Sequence, residues 1–349
     1  MPPYSPESSF ASAQDHAACR AAIREGSRTF FAASLLLPAA VRQPAYGLYA
    51  FCRLSDDAID LEGGSPVALE RLRERLARAY DGRPAPLAAD RAMADLVRRH
   101  AIPRALPEAL FEGLAWDAHG RRYEDLAELE DYAARVAGAV GVMMTLMMGV
   151  RSPEALARAC DLGVAMQLTN IARDVGEDAR AGRIYLPLRW LREAGVDPAT
   201  FLADPTLTPA LQAVVARLLS AAEALYARAR GGVALLPAAC RPAILTAALL
   251  YAEIGRQLER QSLDSISCRA RVSAPRKGRL AAAALLAAPL LRPGPPAPAL
   301  KGVAFLIDAV GTAPAPPPQT RRMGWDIRPQ FLRVLEMFER LERAEQFGE

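Results

Sequence analysis

From Ala21 onward, apolar positions recur at helical spacing or sit among strong helix formers in nearly every segment. The pattern breaks at Pro38, at Gly63-Gly64, between Gly82 and Pro86, at Pro103, Pro153 and Pro198, and at Gly231-Gly232. Such residues punctuate helices. No segment alternates apolar and polar positions as a half-buried strand does. The pattern predicts an all-α chain.

Residues 1–20 read as a flexible polar tail and 21–291 as one helical domain. Residues 292–324 form a Pro-rich connector, holding RPGPPAPAL and TAPAPPPQ around one apolar piece, Val303 to Val310, and are expected to wrap the surface. In residues 325–349, Phe331, Val334, Leu335, Phe338 and Leu341 share a face opposite Arg333, Glu336, Glu339 and Arg340. This predicts an amphipathic helix, docked on the body, with a dimer contact or a foot on a membrane surface as the other readings.

The 349 residues are 52% hydrophobic but 6% aromatic, so the apolar content is mostly Ala, Leu and Val, which favours helices over sheets. A net charge of +4 argues against a dedicated nucleic-acid binder. Cys19, Cys52, Cys160, Cys240 and Cys268 are scattered, without a C-x-x-C pair, so neither a disulfide framework nor a zinc site is expected, and a reducing cytoplasm is. The N-terminal MPPYSPESSF lacks a basic start and an apolar core, and the uncharged run after Arg135 ends at Val150, short of a spanning helix. With His16, His100 and His119 as the histidines, a His-built metal site or a Ser-His-Asp triad is not expected. Metal chemistry would have to use oxygen ligands.

Two polar stripes stand out. In YAFCRLSDDAID, helical geometry puts Tyr49, Arg53, Asp56 and Asp60 within an arc of about 60°, with Asp57 near its edge. In QLTNIARDVGED, Gln167, Asn170, Asp174 and Asp178 fall within about 80° of one face. A lone Asp pair four residues apart is ordinarily a solvated face. Here both stripes follow apolar runs, LYAFC and LGVAM, and like charges at this spacing repel, which implies a compensating cation. Carboxylates and amides without His or Cys suit Mg²⁺, which shares its sites with substrate phosphates. Two such faces opposed across a cavity would clamp a diphosphate and help it leave an allylic carbon.

At these residues the chain resembles the squalene/phytoene synthase family, over about Ala21 to Leu280. Two long signatures carry the resemblance: YAARVAGAVG from Tyr132 to Gly141, and LGVAMQLTNIARDVGED with RIYLP from Leu162 to Pro187. The resemblance implies a single-domain class I isoprenoid synthase fold with a central cavity. It assigns Asp56 and Asp60 to a first metal motif, and Asn170, Asp174 and Asp178 to a second. It also places Gln167, Arg173 and Arg53 at the diphosphate, Gly26, Ser27, Arg28 and Thr29 at the substrate head, and Tyr49, Tyr132 and Tyr251 near the reacting carbons. Arg53 could equally be a surface partner for Asp56 or Asp57, and the tyrosines could be core. Arg271 and Lys277 resemble a basic stretch after the last core helix, where charges on a helix end are the other reading. Ala133, Ala134 and Leu263 depart from residues frequent in relatives and bear on cavity shape. Gly138, Gly141, Met143, Met144, Met147 and Met148 could wall a cavity for a long tail or be core.

The implied activity is a Mg²⁺-dependent prenyltransferase, with Mn²⁺ as an alternate ion and no NADPH, that condenses two geranylgeranyl diphosphates into the carotenoid precursor phytoene. A greasy product implies a cytoplasmic enzyme at a membrane surface, with a carotenoid desaturase downstream and no nucleic-acid partner. The competing readings are a squalene-type synthase using farnesyl chains, with NADPH in the squalene case, and a non-catalytic scaffolding member of the family.

Overall fold

The computed structural model describes residues 9–59 and 65–314, and residues 60–61 by their backbone alone. The predicted C-terminal helix of 325–349 and the last part of the connector therefore lie outside the described residues. Among the described residues there is no strand, as expected.

The chain winds through α1 (Ala13–Gly26), α2 (Arg28–Ser34), α3 (Ala39–Leu61), α4 (Pro66–Tyr80), α5 (Ala88–His100) and α6 (Ala105–Ala118). Next come α7 (Leu126–Ala133), a π-helical turn (Ala134–Gly138), α8 (Ala139–Met147) and the long α9 (Pro153–Arg180). Two short helices, α10 (Leu188–Glu193) and α11 (Pro198–Ala203), lead to α12 (Pro209–Val233), α13 (Arg241–Arg260), α14 (Ala274–Ala287) and α15 (Ala304–Thr312). Proline at the first turn starts α4, α9, α11, α12, α13 and α14, where its missing N–H costs no hydrogen bond. The expected breaks at Pro38, Gly82 to Pro86 and Pro103 separate helices, whereas Gly231-Gly232 sits inside the last turn of α12.

Within the tail expected over 1–20, the described residues from Ser9 onward are held by hydrogen bonds and enter α1. Asp95 accepts from the Ser9 hydroxyl at 2.6 Å and from the Phe10 and Ala11 amides at 3.1 Å. Ser12 and Asp15 then form a reciprocal capping box that starts α1, and Asp15 pairs in a fork with Arg91 of α5. These polar anchors hold a segment whose few apolar residues, Cys19 and Ile23, give a weak helical pattern.

The core is arranged around α9, which packs along α12 and also meets α8, α13 and the π turn. On α9 itself, two close approaches require glycine. A Cβ on Gly163 would lie 2.6 Å from the Ala137 carbonyl oxygen, and one on Gly176 2.7 Å from Ile266 Cα. Gly176 also donates its amide to the Ser265 carbonyl at 2.9 Å, pinning the 262–273 loop to α9. By length and composition α12 could cross a membrane, but its Leu218, Leu219, Leu225 and Val215 are buried in the core. Residues 292–300 of the connector carry no helix or strand, and a short 3₁₀ turn then leads into α15. Arg158 donates to the Ala297 and Pro298 carbonyls, and Arg228 to Pro298.

Candidate active site

A chamber of about 1090 Å³ opens between α1–α2, α3, α6, α9, α13 and the segment before α14. α3 presents Tyr49, Arg53 and Asp56 to it on one side, and α9 presents Gln167, Asn170, Arg173 and Asp174 on another. The junction of α1 and α2 adds Gly26, Ser27, Arg28 and Thr29, α7 adds Tyr132, and α13 adds Tyr251; Arg271 and Lys277 also line it. Ser27 caps α2 by accepting from the Phe30 amide at 3.2 Å, which fixes the bend at the mouth. Asp178 is not part of the lining, and the side chain of Asp60 falls outside the described residues.

Six cations and three carboxylates line the chamber, so its charge suits an anionic guest. The carboxylates are not idle. Arg53 pairs with Asp57 at 2.7 Å and approaches Asp56 at 3.7 Å, so the partner role open to it in the sequence is realised within the lining. Asp174 is gripped by the adjacent Arg173 through both guanidinium edges and by Arg269 at 2.9 Å. Tyr251 stacks on Phe30 at 5.1 Å, and burial raises its hydroxyl pKa against the opposing influence of Arg173. The Tyr49 hydroxyl sits against Gly26, where a Cβ would collide with it. Burial pushes the Cys52 thiol up to about 12, so this lining cysteine is no thiolate nucleophile.

Asp117, at the end of α6, was missed by the sequence pattern. It accepts from the Tyr132 and Tyr185 hydroxyls, and burial pushes it up to about 6, with the charge of Asp56 adding to the rise. Asp178 is pushed up to about 7 by burial and then by Asp174, with Asp117 also contributing. Asp117 therefore feels carboxylates of both stripes, which places the two acidic faces within electrostatic reach of each other. Arg269 was missed too, because it lies 95 positions along the chain from Asp174.

The donor set fits a hard cation that completes its shell with substrate oxygens. Asn170 Oδ1 is buried without a hydrogen-bond partner, and burial followed by the charge of Asp174 pushes the Asp178 carboxyl up to about 7, so a cation beside it would favour its ionised form. Among the described residues, no three His, Cys, Asp or Glu side chains form a cage that could hold an ion unaided.

Behind Phe30, Tyr49, Gln167, Asn170 and Tyr251, which border both spaces, the chamber continues into an apolar extension of about 360 Å³. Gly141, Met144 and Met148 line it, whereas Met143 and Met147 are core residues. Ala133 and Ala134 are fully buried beside the chamber rather than in its wall.

An all-helical shell around a cavity with a charged mouth and an apolar interior is the architecture of an isoprenoid synthase. Residues 23–277 match the squalene/phytoene synthase family, and the chain belongs to that family. It is 50% identical over 304 residues to a phytoene synthase of Rhodobacter capsulatus, covering 84% of this chain and 89% of that protein. It is 54% identical over 263 residues to a phytoene synthase of Cereibacter sphaeroides, covering 72% and 74%. A dehydrosqualene synthase solved with a bound ligand superposes with a TM-score of 0.72 at 32% identity, covering 78% of this chain and 96% of that one.

Proposed function

We propose that this chain condenses two geranylgeranyl diphosphates head to head, through cyclopropyl prephytoene diphosphate, to phytoene for carotenoid synthesis. The observation that carries the reading is the continuity of the cationic chamber with the apolar extension, in a chain half identical to phytoene synthases. One space suits diphosphates and the other a prenyl tail.

In this reading Arg28, Arg53, Arg173, Arg271 and Lys277 orient the two diphosphates, Arg by planar two-point contacts and Lys as a point charge. Mg²⁺ or Mn²⁺ held by Asp56, Asp60, Asn170, Asp174 and Asp178 would neutralise charge on the departing diphosphate. The rings of Tyr49, Tyr132 and Tyr251 face the allylic cation electrostatically, and the apolar wall behind them excludes water that would quench it. Loss of the first diphosphate and a proton joins the chains through the cyclopropane. Loss of the second diphosphate, ring opening and release of a second proton give the hydrocarbon, so no reductant such as NADPH is consumed. The apolar product suits a cytoplasmic enzyme working at a membrane surface and passing phytoene to a carotenoid desaturase.

The test is incubation of purified protein with geranylgeranyl diphosphate and Mg²⁺, with and without NADPH, followed by mass spectrometry. A C40 hydrocarbon formed without NADPH, and lost in Asp56→Asn and Asp174→Asn, is the expected result. A C30 product from farnesyl diphosphate, with none from the C20 substrate, would move the chain to the squalene branch. Flotation with lipid vesicles tests the membrane association separately.

A further inference from the structure

α14 runs from the charged chamber to an exposed apolar end. Lys277, near its start, lines the chamber. Further along, Ala284 and Ala288 pack into a small core cluster with Val233 of α12 and Leu245 of α13, and Ile244 borders that cluster. Val233 and Ile244 also line the apolar extension, so α14 and this cluster form an outer wall of that space. On the other side of the helix, Arg279, Ala283 and Leu286 follow at steps of four and three and are exposed, and the 3₁₀ turn Ala288–Leu290 adds Leu290. Leu286 is 77% and Leu290 79% exposed, whereas no other large apolar side chain among the described residues exceeds 57%. The surrounding chain has one sign of charge. From 265 to 307 it holds no Asp or Glu, but seven Lys or Arg between Arg269 and Lys301. Arg269 is engaged by Asp174 and Arg276 by Glu253. Arg279 and Arg292, which bracket the two leucines, are exposed and form no ion pair among the described residues.

We propose that the outer end of α14, with Leu286 and Leu290 between Arg279 and Arg292, is the foot by which the protein sits on an anionic lipid bilayer; this deepens the membrane-surface part of the reading above. Exposed leucines bracketed by unpaired cations, with no carboxylate for the lipid charge to repel, suit an interfacial contact. The alkyl groups enter the acyl boundary while the guanidinium groups stay among the anionic headgroups. A protein partner fits this face less well. The leucine pair is small beside the about 800 Å² that each side of a stable protein interface buries, and it offers no aromatic anchor. The position also serves the chemistry. With a bilayer against this face, α14 and the small cluster beneath it are what separate the acyl chains from the extension that suits a prenyl tail. The alanines at 284 and 288 make that wall thin.

The test is flotation of the full chain, without substrate, on vesicles of phosphatidylcholine alone and of phosphatidylcholine mixed with phosphatidylglycerol. Wild type is expected to bind the anionic vesicles more tightly, with a preference that weakens as salt is raised. Leu286→Ser combined with Leu290→Ser is expected to lower the partition coefficient about tenfold or more on both vesicles. Arg279→Glu combined with Arg292→Glu is expected to lower it about tenfold or more on the anionic vesicles alone. None of the four residues lines the chamber, so turnover of geranylgeranyl diphosphate in detergent micelles is expected to stay at the wild-type level in both variants. A wild type that floats with neither vesicle, or a leucine variant that floats like wild type, overturns the inference. In the second case, a melting temperature lowered by several degrees would give the leucines to the chain's own apolar positions at 331–341, and loss of a dimer in sedimentation would give them to a second copy. A wild type inert in detergent overturns the condensation reading instead, because vesicle binding is read without substrate.

Discussion

The Tyr132 hydroxyl donates to Asp117 Oδ2 at 2.5 Å, while Tyr185 donates to Oδ1 at 2.8 Å. Burial raises Asp117 to about 6, and these two hydrogen bonds, with Arg183, keep it from rising further. Removing one donor therefore favours the neutral acid. Tyr132→Phe is expected to lower turnover about tenfold or more and to move the acid limb of the kcat/KM profile to higher pH. Asp117→Asn is expected to remove that limb. Rate profiles across about pH 5 to 8 check both, and an acid limb unmoved in Tyr132→Phe would separate Asp117 from catalysis.

Gly26 and Tyr49 meet at the mouth of the chamber, with no room for a Cβ between them. The colliding atom is the tip of a side chain that can swing, so Gly26→Ala is expected to fold normally while displacing the Tyr49 hydroxyl. Misplacing a group beside the reacting atoms costs about 10²-fold in rate. A kcat reduced to that extent, with an unchanged melting temperature, is the expected outcome. Retained kcat would show that the Tyr49 hydroxyl has no part in the reaction.

Much of the site was readable because α3 and α9 repeat polar residues at helical spacing, and spacing along a helix becomes a shared face in space. Tyr49, Arg53, Asp56, Gln167, Asn170 and Asp174 were legible for that reason. Asp117 was not, since it shares no polar stripe along its helix, and its setting is visible only once Tyr132 and Tyr185 arrive from other elements. Arg269 was hidden for a similar reason. It reaches Asp174 because Gly176 lets the 262–273 loop lie directly on α9. For the methionines the sequence left wall and core open, and the π turn and the packing of α8 divide them, with Met144 and Met148 facing the cavity and Met143 and Met147 the core. The ordered start of α1 was missed because it is held by polar bonds to Asp95 and Arg91, which leave no hydrophobic period to read.

Asp178 sets a pH dependence for the proposed metal. Burial, and then the charge of Asp174, pushes its carboxyl up to about 7. A raised folded pKa stabilises the protein at low pH, and that contribution is lost as pH rises from the ordinary carboxylate value through about 7. A cation replaces the missing positive charge and competes with the proton. The rise in melting temperature produced by Mg²⁺ with inorganic diphosphate is therefore expected to be larger at about pH 8 than at about pH 6. Asp178→Asn is expected to flatten that difference and weaken Mg²⁺ binding about tenfold or more. Chelation should abolish turnover and Mg²⁺ restore it. A thermal response to Mg²⁺ that is the same at both pH values in wild type would exclude Asp178 as a metal ligand.

His100, which lines neither the chamber nor its extension, gives a stability effect of the opposite sign. It ends α5, buried, with Nδ1 unpaired, and burial followed by the charge of Arg99 lowers its pKa to about 4. The unfolded imidazole takes up a proton below its ordinary value of 6.5, while the folded one stays neutral until about 4. Stability from this group is thus full above 6.5 and is lost as pH falls toward 4, by about 2 kcal/mol at about pH 5 on a scale of 1.36 kcal/mol per pKa unit. Glu130, which burial pushes up to about 7, gains stability over the same range and masks the effect in wild type alone. The informative quantity is the difference between wild type and His100→Leu. The variant is expected to gain on wild type by several degrees in melting temperature between about pH 7 and pH 5. Parallel melting curves for the two proteins across that range would mean that His100 is protonated in the folded state after all.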